Sequence, residues 1–487
     1  MGLPGDPKLA GRSSVVVEAG ATRSGSVARD DGRSLPKRAV IGKEQILDRL
    51  DNAVAAIDEL LTEQLNAILH HPRFQRLEAS WRGLQFLTRQ SAAKQGVKVR
   101  VLNLAWQELV RDVERAIEFD QSQFFQKIYS EEFGSPGGEP FGAILGDYEV
   151  SHRASITHAS KDVDVLESLS SVAAAAFAPM VMGAHPSLFG LDDFSALGTP
   201  LNLPRTFEQL EYLQWRRFRE AEDARFIGLV LPRVLMRVPY EDQGLRAAES
   251  FRFVERVNGP DNSRYLWGSA VYALGSVLVR AFDQSGWLAS IQGVERGVET
   301  GGLVTGLPQH SFGTDAAGLV PKYSTDVMIT DSDEKELGEL GFMPLCVCKD
   351  TDWSAFYGSA SVQKPKVYDE LPATVNARLS AMMQYMFCVS RFAHYLKVIG
   401  RDRIGSFATA QEVQNDLQRW LLNYTVDADD ATMQAKARAP LREGRVEVRE
   451  KPGKPGSYYC VMHLRPHFQL DQVVTAVKLV TELAPGN

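Results

Sequence analysis

Gly444-Arg445-Val446-Glu447-Val448-Arg449-Glu450, Tyr458-Tyr459-Cys460-Val461-Met462-His463-Leu464-Arg465 and Val473-Val474-Thr475-Ala476-Val477-Lys478-Leu479-Val480-Thr481-Glu482-Leu483 follow one another almost without interruption. In the first run Val446 and Val448 alternate with charged residues. In the second, Tyr458, Cys460, Met462 and Leu464 alternate with Tyr459, Val461, His463 and Arg465. In the third, Val473, Thr475, Val477 and Leu479 hold the same period. A period of two in β-branched and aromatic residues specifies strands, and Lys451-Pro452-Gly453-Lys454-Pro455-Gly456 is a turn. The chain is expected to end in a small sheet. The last strand of such a sheet is an edge, with N–H and C=O groups available to another strand. Either the protein covers that edge itself or a partner strand does.

The totals narrow the function. A chain of 487 residues with 44% hydrophobic side chains is long enough for more than one domain and for large cores. With 54 basic and 61 acidic side chains the net charge is −7, which disfavours nucleic acid as a partner. Four cysteines are too few for a disulfide scaffold, and no signal-peptide pattern opens the sequence, so a reducing cytoplasm is expected. The longest apolar run, Val172 to Met182, is too short to span a bilayer, so no membrane insertion is expected.

Residues 1 to about 40 carry no sustained period. Within them Val15, Val16 and Val17 are β-prone and could join a sheet edge offered to them. Lys43 to Leu69 is an amphipathic helix by its Leu47, Leu50, Val54, Ile57, Leu61, Leu65 and Ile68. A second helix carries Phe74, Leu77, Trp81, Leu84 and Leu87, and the two suggest a helical hairpin. Strands and helices then alternate, which argues an α/β domain with a layered sheet. Strands are expected at Val97–Val101, Phe141–Leu145, Met180–Met182, Phe226–Leu231, Asp326–Ile329 and Met343–Cys348. Helices are expected at Trp106–Ile117, Val163–Phe177 and Val271–Phe282, with Thr206 and Gln209 starting another. Asp331 with Glu334, and Thr409 with Glu412, have the spacing of capping boxes. Ala377 to Ile399 is expected to be one long helix.

No catalytic motif emerges. Gly42-Lys43-Glu44 and Gly453-Lys454-Pro455 fail the phosphate-loop pattern, and no G-x-S-x-G elbow occurs. The glycines at 293, 297, 301 and 302 are too loosely spaced for a dinucleotide fingerprint, so tight turns or close backbone packing are expected there. Cys346-x-Cys348 is neither a redox nor a zinc pair and is expected as two core cysteines. No cofactor or metal ligand set is found, so an assembly or binding protein is the leading class. The rival is an α/β enzyme or ligand-binding protein using the Gly-rich 286–313 loop.

Four separated motifs then align with one family. His70-His71-Pro72-Arg73-Phe74-Gln75-Arg76-Leu77-Glu78-Ala79-Ser80-Trp81-Arg82-Gly83-Leu84 resembles the signature of the large sheath subunit of bacterial type VI secretion systems, the TssC (VipB) family. Gly341-Phe342-Met343-Pro344-Leu345, Ser390-Arg391-Phe392-Ala393-His394-Tyr395-Leu396-Lys397 and Leu464-Arg465-Pro466-His467-Phe468-Gln469-Leu470 follow in family order. The likeness spans about Ile46 to Leu483 and omits the first forty or so residues.

The resemblance implies a structural protein, not an enzyme, in layered α/β domains with an N-terminal helical hairpin and a C-terminal β-rich joining domain. It implies a smaller partner, TssB (VipA), and hexameric rings of the pair stacked helically around an Hcp inner tube. It also implies a baseplate that anchors the sheath to the envelope, contraction that propels the inner tube, and a ClpV ATPase that disassembles contracted sheath. Neighbouring subunits in the family are linked by exchanged strands. The ClpV helix of the family has no counterpart in residues 1 to 40. The expected division is a linker arm at 1–42, the hairpin at 43–95, an outer α/β region at 96–340 and an inner domain at 341–487. The expected inter-subunit strands contain Val15, Val16, Val17, Val446, Val448, Tyr458, Cys460, Met462, Leu464, Val473, Thr475, Val477 and Leu479. The family-motif residues expected to matter structurally are Phe74, Leu77, Glu78, Trp81, Arg82, Gly83, Arg391, His394, Tyr395, Arg465 and His467.

Overall fold

A computed structural model describes residues 42–92, 94, 96–154, 161–199, 201–241, 251, 253–257, 262–294, 298–310, 323–348, 351–403, 409–428, 432–452, 458–467 and 477–483. Met1–Ile57 and Asp58–Asn487 form two compact units. Of the first, the structure describes the start of helix α1 (Lys43–Leu69), which continues into the second. Helix α2 (Pro72–Ser91) begins where His71 Nδ1 accepts from the Arg73 N–H (3.3 Å), with Pro72 in the first turn.

The centre of the second unit is a six-stranded sheet. In chain order its strands are β1 (Ile144–Val150), β2 (Met180–Ala184), β3 (Ile227–Leu231), β6 (Leu303–Val304), β7 (Met343–Val347) and β8 (Ser354–Phe356). β4 (Val234–Leu235) and β5 (Trp267–Gly268) make a separate two-stranded ribbon. The order across the large sheet is β1-β2-β3-β7-β8-β6, parallel through β7 and antiparallel beyond it.

The helices of this region are α3 (Trp106–Arg115), α4 (Gln123–Phe125), α5 (Val163–Ala176), α6 (Leu203–Phe207), α7 (Leu213–Glu220), α8 (Val271–Ser285) and α9 (Asp331–Glu339). Alternate strand residues feed two cores. Met180, Met182, Ile227, Leu229 and Leu231 pack with Leu166 and Leu169 of α5. Val181 and Val230 pack with Leu274 and Val277 of α8. Helices therefore cover both faces, and continuous apolar runs are the sequence such strands require.

The remaining helices are α10 (Leu371–Ser380), α11 (Met383–Arg403), α12 (Ala410–Leu422) and α13 (Met433–Arg438), and the chain's second sheet contains β9 (Leu441–Glu450), β10 (Tyr458–Pro466) and β11 (Val477–Leu483). Along α11, Met386 enters the α5 core, Met383 and Phe387 the α8 core, and Cys388 to Leu396 a third core beneath the second sheet.

Several expectations are corrected. Val97–Val101 is no strand: its Lys98 and Arg100 pair with Glu139 and Glu132 while its backbone stays outside any ladder. The strand expected at Phe141–Leu145 starts at Ile144 and runs on to Val150. Thr206 does not start a helix but lies near the end of α6, which Asn202 caps through Arg205 N–H (3.1 Å), and Leu210 and Leu213 are exposed. Asp326–Ile329 forms no strand, since only neighbouring Thr325 makes a lone bridge to Val234. Thr330 caps α9 and Asp333 completes its box, one residue earlier than Asp331 and Glu334. The long helix expected at Ala377–Ile399 breaks at Ala381–Met382, because the 359–361 segment takes its backbone bonds: Ser361 N–H donates to Ala381 O (2.9 Å) and Met383 N–H to Ser359 O (2.6 Å). Cys346 is buried but Cys348 is only half-buried. The Thr409–Glu412 box forms as expected.

At Gly301 and Gly302 the glycine loop is close backbone packing, and Gly297 lies outside the described residues. A Cβ on Gly302 would sit 2.0 Å from the Phe356 carbonyl oxygen, and Gly301 has φ +62° with Gly293 O only 2.5 Å from where its Cβ would be. The hollow beside it, about 70 Å³, is lined by groups such as Gln90, Lys94, Arg280 and Glu299.

Candidate assembly interface

The terminal sheet is antiparallel in the order β11-β10-β9. Val446, Val448, Cys460, Met462 and Leu464 are buried, packed on Phe392 and Leu396 of α11 and on Val413, Leu417 and Leu421 of α12. Arg445 and Arg449 point outward between them. The period of two thus holds in β9 and β10, and these five expected interface side chains are spent on the protein's own core. Tyr458 is half-buried at the edge of that core. Val477 stands opposite Leu464 and Leu479 opposite Met462 in the register. Val15, Val16, Val17, Val473 and Thr475 lie outside the described residues. What the inward residues of β9 and β10 leave for another chain is therefore backbone.

Its two edges differ. On β9, the Val446 N–H donates to Gln418 Oε1 (2.8 Å) and Gln418 Nε2 donates to Gly444 O (2.8 Å). The Val448 N–H donates to Gln414 Oε1 (3.0 Å). Lower down, Val426 N–H donates to Leu441 O (2.9 Å) and Leu441 N–H to Tyr424 O (3.2 Å). Among the described residues β11 has a single strand neighbour, β10.

The motif residues of α2 split into two groups. Glu78 Oε1 accepts from Arg82 Nε (2.7 Å) and Arg237 Nε (2.8 Å). Burial pushes the Glu78 carboxyl up, and the bonds and charges of Arg237 and Arg82 outweigh it, so the group is held below the usual carboxylate range. Arg237 also grips the buried Glu255, which His70 Nε2 reaches at 3.2 Å. Gly83 lets α2 approach α8: a Cβ there would lie 2.3 Å from Tyr272. Phe74, Leu77 and Trp81, by contrast, are exposed, Trp81 by 66%. In the same unit Leu60, Leu61, Leu65 and Ile68 of α1 are exposed while its Thr62 and Asn66 are buried. Asn66 explains the inversion, because its amide accepts from Arg256 N–H (2.7 Å) and donates to Val254 O (3.5 Å). The α1 stripe from Leu60 to Ile68 and the Phe74, Leu77 and Trp81 part of the α2 stripe are not turned to the core as their periodicity suggests, whereas Leu87 of α2 is buried.

On α11, His394 Nε2 meets Ala176 O (3.0 Å) at the C-terminal end of α5 and its ring stands edge-on to Phe133. Burial pushes this imidazole down to about 3, with Arg391 and Lys397 adding to the effect. Arg391 lies over the rings of Phe282 and Tyr395 and donates to the Tyr395 hydroxyl (3.0 Å). These residues fasten α11 to the large core. Arg465 lies 3.7 Å from Glu443, and His467 N–H donates to Pro440 O (2.9 Å), both holding β10 to the start of β9.

Residues 51–363 match the EvpB/VC_A0108 tail sheath N-terminal domain, and residues 372–483 match the tail sheath gpW/gp25-like domain. The chain belongs to the TssC/VipB family of type VI secretion sheath proteins. It is also 41% identical over 454 residues to the type VI secretion system sheath protein TssC1 of Pseudomonas aeruginosa, covering 92% of this chain and 89% of that one. It is accordingly a structural subunit of a type VI secretion tail sheath. The matched gpW/gp25-like region holds α11 to α13, nearly all of α10 and the whole three-stranded sheet. Sheath membership implies partner subunits and multimers. Among the described residues no helix is long and apolar enough to cross a membrane.

Sequence reasoning missed Gln414, Gln418, Asn66 and the Arg237–Glu255 pair. The glutamines sit four apart on a helix, a spacing equally common on solvated faces, so no sequence signal marks them.

Proposed function

We propose that this subunit pairs with a smaller sheath subunit of the TssB (VipA) kind, and that the pairs stack as hexameric rings into a helical tube around an Hcp inner tube. The observation that carries the reading is the sheet edge at β11, which only β10 adjoins among the described residues. Strand addition there gives backbone bonds that survive rotation of rigid bodies about the joint. The β-prone Val15–Val17 segment of a neighbouring copy is the strand we assign to it. The domain division we propose is a linker arm at 1–42, helices at 43–95, an outer region at 96–340 and an inner joining domain at 341–487. The exposed apolar residues Leu60, Leu61, Leu65, Ile68, Leu77 and Trp81 are proposed to lie against the smaller subunit, since patches of this kind on a tube-forming protein are covered on assembly.

The role is mechanical and non-enzymatic, in the bacterial cytoplasm, with the sheath anchored through a baseplate; without the family's ClpV helix in residues 1 to 40, we assign this subunit no ClpV contact. Contraction releases energy stored in the extended lattice, the two states differing in contacts between subunits. Co-expression with a small sheath partner tests the reading. Full-length chain is expected to give cogged tubes by electron microscopy and chain lacking Val473 to Leu483 to give none. Intact tubes from the deletion would overturn the joining role.

A further inference from the structure

We propose that Gln414 and Gln418 make the terminal sheet one-sided: they close β9 and so direct any joining strand to the β11 side. This rests on the strand-joining reading above and adds which edge is used and what sets the choice.

In an antiparallel pair, alternate residues turn their backbone groups toward the neighbour and the others turn away. Val446 N–H goes to Gln418, so Gly444, Val446 and Val448 are the outward set of β9. The carboxamide of Gln418 accepts from residue 446 and donates to residue 444. One residue of a parallel neighbouring strand makes the same pair of bonds. Gln414, one turn earlier, takes the next outward N–H. The match is geometric. Four helical residues advance about 6 Å, and two strand residues advance roughly 6.8 Å. A helix laid along a strand can therefore present an amide to every second residue.

Two further features hold α12 in that place. Gly444 has no side chain where a Cβ would come 2.6 Å from Leu421 Cδ2. Val413, Leu417 and Leu421 of the same helix are buried in the third core. A strand arriving at β9 would have to break the glutamine bonds and pull three apolar side chains out of that core. The 424–426 segment, bridged to Leu441, continues the closure past the end of the helix. The same device recurs where Asn66 bonds Val254 O and Arg256 N–H. Unpaired edges invite wrong pairing, and side-chain amides are a cheap seal that leaves no strand-shaped vacancy.

The test is amide hydrogen exchange and tube imaging on the full chain with its small sheath partner, comparing wild type with the double variant Gln414→Leu/Gln418→Leu. In the free wild-type subunit the amides of Val446 and Val448 are expected to be protected, and to stay protected to the same degree in tubes. In the double variant those two amides are expected to exchange at least ten-fold faster, while Arg445 and Glu447, which face β10, keep their rates and so report an intact fold. The variant is expected to self-associate without partner and to give bundled or branched tubes. Unchanged exchange at 446 and 448, or normal tubes from the double variant, would overturn the proposal. A tube map with a foreign strand beside β9 sinks the proposal alone; a map with no inter-chain strand anywhere on this sheet sinks the joining role with it.

Discussion

The six-stranded and three-stranded sheets of this protein solve the same physical problem in opposite ways. The six-stranded sheet is buried on both faces by the chain's own helices, with alternate residues of β2 and β3 feeding separate cores. The three-stranded sheet buries one face on α11 and α12 and presents charged residues on the other. Its β9 edge is sealed by side chains and its β11 edge adjoins no further described strand. The first is covered by its own chain; the second is the one we propose as a joint. Helix α11 contributes side chains to the cores beneath both sheets.

The contrast can be broken most sharply inside the body. Gly302→Ala places a methyl against the Phe356 carbonyl oxygen, backbone on backbone, with no flexible group to yield. The expected cost exceeds about 4 kcal/mol, and circular dichroism is expected to show an unfolded or aggregated chain. Next is the element shared by both regions. Phe392 of α11 is fully buried and stacks on Trp287 at 4.1 Å between ring centroids. Phe392→Ala is expected to lower the urea unfolding free energy by about 3–5 kcal/mol. A body that unfolds normally while only the terminal sheet loosens would show that the two regions are less coupled than α11 suggests.

A smaller effect comes from acid. His152 is buried, stacks on Tyr212 at 4.0 Å, and among the described residues has no hydrogen bond to either ring nitrogen. Burial, then the charge of Arg153, pushes it down to about 4. Its folded value lies below its unfolded value, so its contribution is complete above about pH 6.5 and is lost as pH falls toward 4. Between pH 6 and 4.5 the wild type is expected to lose up to about 1.4 kcal/mol per pH unit more than His152→Phe, read from denaturant midpoints. Equal slopes would place water or a charge partner at the ring. The smallest stability effect is expected at Trp81, which is 66% exposed. Trp81→Ala should change the free subunit by less than about 0.5 kcal/mol yet reduce tube yield with the partner. Normal tubes would remove this residue from the interface.

Periodicity was a good guide wherever one chain supplies both sides of a contact. β3 and β7, buried on both faces, are continuous apolar runs, and β9 and β10 alternate as half-buried strands do. It misled at Leu61, Leu65 and Trp81, whose apolar pattern is real but which stay exposed among the described residues. It also failed where long-range backbone contacts intervene, as when the 359–361 segment splits the expected long helix at Met382.

What the sequence by itself determined is the layered α/β body, the terminal strands with the inward residues of the first two, and the family through four ordered motifs. The period of a strand and the spacing of a cap are properties of neighbouring residues, so they survive being read in a line. Only the tertiary structure decided which edge of the terminal sheet is closed. That choice rests on Gln414 and Gln418 meeting β9 from about thirty residues away, and hydrogen bonds between a helix and a distant strand have no period to betray them.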